Sequence, residues 1–95
     1  MNSTRDLKEL RQALYSASNL PERLWAFVHL ATDPECTFGD MIDALKFGGL
    51  VASHAFVTLA NHFQIRPKFG TDSENLEFWR DFLEKRHISL DAKLK

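Results

Sequence analysis

Ninety-five residues with a formal net charge of -1 and a pI near 6.4 describe one helical-domain-sized chain, neither strongly basic nor strongly acidic. That balance argues against recognition of nucleic acid by bulk charge, because an acidic chain needs a local basic patch and the charges here are evenly spread. Cys36 is the single cysteine, so no intramolecular disulfide is possible and a reducing compartment is expected.

Eight Phe, two Trp and one Tyr supply enough large side chains for a core without disulfide or metal staples. The opening stretch, Met1 to Leu10, contains acids and lacks an apolar run, so it does not read as a signal peptide and the cytoplasm is the expected location.

The first predicted helix runs from about Ser3 to Ala17. Ser3 and Asp6 have capping-box spacing, Leu7, Leu10, Leu14 and Ala17 form one narrow stripe, and Arg5 with Glu9 makes an i,i+4 pair on a solvated side. So thin a stripe packs through one face only, or through a partner. Asn19 and Glu22 repeat the cap, with Pro21 in a first turn where the missing N–H does no harm. Leu20, Leu24, Phe27 and Ala31 then line the predicted inner face, with Val28 beside them. Asp33-Pro34 stops this helix, since the residue before proline is pushed out of the α region.

Thr37 and Asp40 open a short third helix, in which Phe38, Met41, Ile42 and Leu45 face inward and Gly48-Gly49 ends the run. From Phe47 to Ile65 the chain carries no Asp, Glu, Lys or Arg, although charged residues make up 26% of the whole. Such a stretch predicts a central helix, about 50–63, with Ala52, Ala55, Phe56, Leu59 and Phe63 inward and His54, Thr58, Asn61 and His62 on a polar stripe. A membrane span needs about 20 apolar residues, and Ser53, His54, Thr58, Asn61, His62 and Gln64 interrupt this one. Arg66 to Gly70 reads as a loop. Thr71 with Glu74, or Asp72 with Asn75, caps a fifth helix to about Arg86, whose wide apolar face holds Leu76, Phe78, Trp79, Phe82 and Leu83. The remainder, from Ile88, alternates apolar and polar residues and reads as either a docked extension or a frayed end. Scattered Val and Ile and the absence of Asn-Gly or Asp-Gly turns argue against strands. The expected fold is all-α: a compact single-domain bundle over residues 1–95, of about five helices around the uncharged one.

Chemical signatures are sparse. His54 and His62 lie eight residues apart on one helix, about 12 Å, too far for one metal ion. Cys36 sits near a helix N-terminus, but the neighbouring Asp33, Glu35 and Asp40 would raise its thiol pKa, so a partly buried, inert thiol is expected. Asp40 and Asp43 read as a solvated helix face. No catalytic residue, metal, cofactor or small-molecule substrate is expected.

What remains is recognition. Tyr15 lies beside the thin stripe of the first helix, Trp25 lies off the second helix's inner face, and Phe69 sits in a loop without a periodic reason to be inside. Aromatic side chains of this kind anchor protein interfaces. The expected function is that of a non-enzymatic adaptor, regulator or inhibitor docking on a protein partner or on a second copy of itself. Tyr15, Trp25 and Phe69 are the expected anchors, with His54, Thr58, Asn61 and His62 as a polar patch. The alternative is a helix-turn-helix DNA-binding regulator built from helices about 38–47 and 50–63. It would use Ser53 and His54 at the bases and Lys46, Arg66 and Lys68 at the phosphates. Against it, the would-be recognition helix carries no Arg or Lys.

Overall fold

Four of the helices begin where a nearby group replaces the hydrogen-bond partners that a helix end lacks. The computed structural model describes residues 7–94, in which five helices follow one another: α1 (Leu7–Ser16), α2 (Leu20–Ala31), α3 (Phe38–Phe47), α4 (Gly49–Phe63) and α5 (Asp72–Lys85). Ser3, Arg5 and Asp6, predicted to cap and flank α1, lie outside the described residues. At α2 the Asn19 side chain accepts from the Glu22 amide at 2.9 Å, with Pro21 in the first turn. Thr37 and Asp40 close a full capping box on α3, and Thr71 and Glu74 do the same on α5. Asn75, the rival cap partner, is buried instead and brackets Gly70 from both sides of the peptide, accepting from its amide at 2.8 Å and donating to its carbonyl at 3.2 Å.

The turn between α3 and α4 is a single residue, Gly48, at φ 73°. A side chain there would be strained by that angle, and its Cβ would stand 2.6 Å from the Asp72 carboxylate. Asp72 is in that place because it accepts from the Gly49 amide at 3.3 Å, so the first turn of α5 caps α4 from the side. At their far ends α4 and α5 both close in the same way. Ile65 donates to the Ala60 carbonyl and Ile88 to the Leu83 carbonyl, with Gln64 and His87 at φ 55° and 59° in positions that more often hold glycine.

Packing follows chain order. α1 lies chiefly on α2 and α3 chiefly on α4, while α3 also packs on α5 and α2 on α4. The uncharged helix therefore meets α2, α3 and α5, burying Val51, Ala52, Ala55, Phe56 and Leu59. It shares the centre with α3, which buries Phe38, Met41, Ile42, Ala44 and Leu45. Trp79 is wholly buried beneath Phe56, Phe63, Phe78 and Phe82, all within 6.1 Å by ring centroid, and its Nε1 has no hydrogen-bond partner among the described residues. No strand forms among those residues. Thr37 and Lys93 form an isolated antiparallel bridge, and the Gly39 amide donates to the Leu90 carbonyl beside it at 2.8 Å.

One expectation fails at the start of α3. Asp40 is not on a solvated face with Asp43; it is 5% exposed. The reason is Arg11 of α1, whose Nε and Nη2 donate to the two carboxylate oxygens at 2.7 and 2.9 Å, while the Thr37 amide donates at 2.9 Å. Burial alone would raise the Asp40 carboxyl, but the Arg11 guanidinium and the Thr37 amide outweigh it and hold it below the usual carboxylate range. A buried charge is tolerated when it is paired and its lone pairs are filled, and here both conditions hold. The segment after α5, read from sequence as docked or frayed, is docked: Leu94 is buried and donates to the Cys36 carbonyl at 2.7 Å.

Candidate docking surface

The orientation of α2 decides which residues the molecule shows. α1 has no basic residue in its last turn to satisfy its terminal carbonyls. Arg23 of α2 supplies the need across the hairpin, donating from Nε to the Leu14 carbonyl at 2.9 Å and from Nη2 to the Ala17 carbonyl at 3.1 Å. Its guanidinium also lies 4.5 Å from the centre of the Phe47 ring, a favourable cation–π position. With Arg23 pinned toward α1 and α3, the buried arc of α2 is Ala26, Phe27 and Leu30.

The predicted inner face, Leu20, Leu24, Phe27 and Ala31 with Val28 alongside, is thereby turned aside. Phe27 remains buried and Leu24 and Ala31 half-buried, but Leu20 and Val28 stand 47% exposed, and Trp25 44%. Pro21, Trp25 and Val28 fall on successive turns of the outer side, so α2 presents an apolar ridge to solvent. Beside that ridge runs an open groove of about 440 Å³, walled by Ala13 and Ser16 of α1, by Ala17 just after it, and by Pro21, Glu22 and Trp25 of α2. The Trp25 ring lies 4.3 Å from that of His29, one turn further on.

The three expected anchors do not converge on one patch. Tyr15 is 57% exposed but leans away from the groove, its ring 5.2 Å from Phe47. Partial burial and the nearby Asp43 carboxylate raise its hydroxyl above the usual phenol range. Phe69 is half exposed, its ring edge-on to Phe56 at 4.9 Å in the loop after α4. Of the three, Trp25 alone lines the groove.

The expected polar patch on α4 is likewise divided. His54 and Asn61 are exposed, but they share the outer face with Leu50 and Val57, 47% and 53% exposed. The Ser53 and Thr58 hydroxyls donate back to the Gly49 and His54 carbonyls at 3.2 and 2.8 Å, which satisfies them within the helix. His62 is exposed as well, with its ring edge-on to Phe38 at 5.4 Å. The groups nominated for DNA are also scattered. Lys46 pairs with Asp43 at 3.5 Å at one end of α4, whereas exposed Arg66 and Lys68 follow its other end, about 22 Å away along a helix of this length. The amide end of α4, where a phosphate would be held, already faces the Asp72 carboxylate.

Cys36 is wholly buried, more deeply than expected, and burial together with Asp40 pushes its thiol up to about 12. Among the described residues no three His, Cys, Asp or Glu side chains are grouped as metal ligands. Nor is any helix among them long and apolar enough to cross a membrane.

Sequence reasoning missed Leu20, Val28, Leu50 and Val57 as surface residues. For α2 a signal was present: it carries more apolar residues than one buried stripe can hold, so some had to face out. No family model, no curated protein and no solved structure matches this chain.

Proposed function

We propose that this protein is a non-enzymatic helical module that works by docking on a protein partner, as an adaptor, regulator or inhibitor, with the outer side of α2 as its contact. The observation that carries this reading is the outward ridge of Pro21, Trp25 and Val28 beside the α1–α2 groove. A small domain exposes single apolar residues routinely, but a tryptophan flanked by aliphatic residues on successive helical turns is the composition of an interface centre. A second copy of the chain is the alternative occupant. The non-catalytic reading is supported by the burial of Cys36, which pushes its thiol up to about 12.

Affinity capture from a native lysate with the wild type and with Trp25→Ala, scored for protein and for nucleic acid, tests the proposal. A protein retained by the wild type and lost from a still helical Trp25→Ala chain supports it. The same retained set from both chains counts against it. Duplex DNA bound at low salt, with a salt dependence that becomes shallower when Lys46, Arg66 or Lys68 is replaced, would favour the helix-turn-helix alternative.

A further inference from the structure

The outer face of α4 differs from the other helix faces among the described residues. α1 shows Lys8 and Glu9 to solvent, α2 shows Glu22, α3 Lys46, and α5 Glu77, Arg80 and Glu84. α4 has no charged residue, and along one line it shows Leu50, His54, Val57 and Asn61. A helix face meant for water ordinarily carries charge. The four residues follow one another at intervals of 4, 3 and 4, the spacing that keeps one stripe of a helix facing a second helix. Leu50 and Val57 are its exposed apolar members, and the residues on either side, Ser53, Thr58 and Ala60, are small and half-buried. The Ser53 and Thr58 hydroxyls donate within the helix, so neither proton needs an outside acceptor.

The chemistry of the stripe selects its occupant. A partner recognised by charge needs charge to answer it, and α4 offers none. In a two-fold pair, by contrast, a residue near the axis meets its own copy. A lone lysine or glutamate there would face a like charge. Leucine and valine pack on their own kind, and an asparagine amide both donates and accepts, so it can bond to a second asparagine. A neutral imidazole, with one donor and one acceptor nitrogen, can do the same. All four positions of the stripe are therefore compatible with themselves.

We propose that α4 is the contact between two copies of this chain. The two helices lie side by side, parallel and in register, with Leu50 and Val57 packed on their counterparts and His54 and Asn61 hydrogen-bonded to theirs. Parallel order follows from the sequence of the stripe: an antiparallel pair would set Leu50 against Asn61 and His54 against Val57, leaving both polar groups without partners. The face is about 22 Å long and one helix wide, less than the roughly 800 Å² per partner of a standard interface. The dimer is accordingly a weak, exchanging one. It does not use the α2 ridge.

Sedimentation equilibrium of the full chain from about 10 µM to about 1 mM, the range of a small interface, tests this contact. The wild type should show a reversible monomer–dimer equilibrium. Val57→Lys, at a site already open to water, should weaken it at least tenfold, and Trp25→Ala should leave it unchanged. Val57→Cys, oxidised in air, should form a disulfide-linked dimer at least tenfold faster than Glu77→Cys, because Cys36 is wholly buried and the new thiol alone meets its copy across the axis. A wild type that stays monomeric throughout, or a dimer of unchanged affinity in a folded Val57→Lys chain, overturns the proposal. So does a dimer lost on Trp25→Ala, which would place the second copy on α2. Should Val57→Lys lose its helical structure, the two cysteine variants decide, and equal rates of cross-linking overturn it.

Discussion

The start of α3 and the outer side of α2 invert the usual arrangement of residues. At α3 a carboxylate is buried; at α2 a tryptophan and two aliphatic side chains face water. The difference shows that partners, and not polarity, decide burial. Asp40 is inside because Arg11 and Thr37 together fill its lone pairs. Trp25 and Val28 are outside because Arg23, with two carbonyls and a ring to satisfy, takes the inward position on their helix. The first region should therefore govern stability and the second should govern binding.

The largest expected effect is at the buried carboxylate. Asp40→Ala removes the ion pair and half of the α3 capping box, and should cost about 2–3 kcal/mol in urea unfolding. The value falls at the lower end for a broken buried pair because the Arg11 side chain is 40% exposed and can return to water. The same pairing sets a pH dependence. Because the folded carboxyl is held below its unfolded value, its contribution is complete above the ordinary aspartate pKa of about 4 and is lost as pH falls through the folded pKa. The stability gap between the wild type and Asp40→Asn should accordingly narrow on acidification; a constant gap would mean that the charge of Asp40 contributes nothing.

Smaller changes are expected at α2. Trp25→Ala should alter unfolding free energy by under about 1 kcal/mol, and under the proposed docking role it should cost about 2 kcal/mol or more of partner affinity. A loss of stability as large as that of Asp40→Ala would place Trp25 in the core and erase the contrast. Val28→Lys should be the mildest, within about 0.5 kcal/mol in stability, because the side chain already faces water. Thermal unfolding of the two variants side by side ranks them.

Much of the architecture is legible in the sequence. The caps at Asn19, Thr37 and Thr71, the stop at Asp33-Pro34 and the hinge at Gly48 all lie where residue spacing puts them. The uncharged α4 buries the predicted Ala52, Ala55, Phe56 and Leu59. The surface was read less well. Trp25 was singled out and lines the groove, but Tyr15 and Phe69 sit elsewhere, and the polar residues of α4 are interleaved with Leu50 and Val57.

Residue order by itself determined the five helices, because the caps of α2, α3 and α5 and the apolar periodicity act between residues no more than about four apart. The rotation of α2, the burial of Asp40 and the seating of the segment after α5 were decided only in three dimensions. Each depends on a group reaching a distant segment: Arg23 to the end of α1, Arg11 to the start of α3, and Leu94 to Cys36. Periodicity tells which faces of a helix are apolar, but where two faces compete, the unsatisfied polar groups of neighbouring elements choose between them.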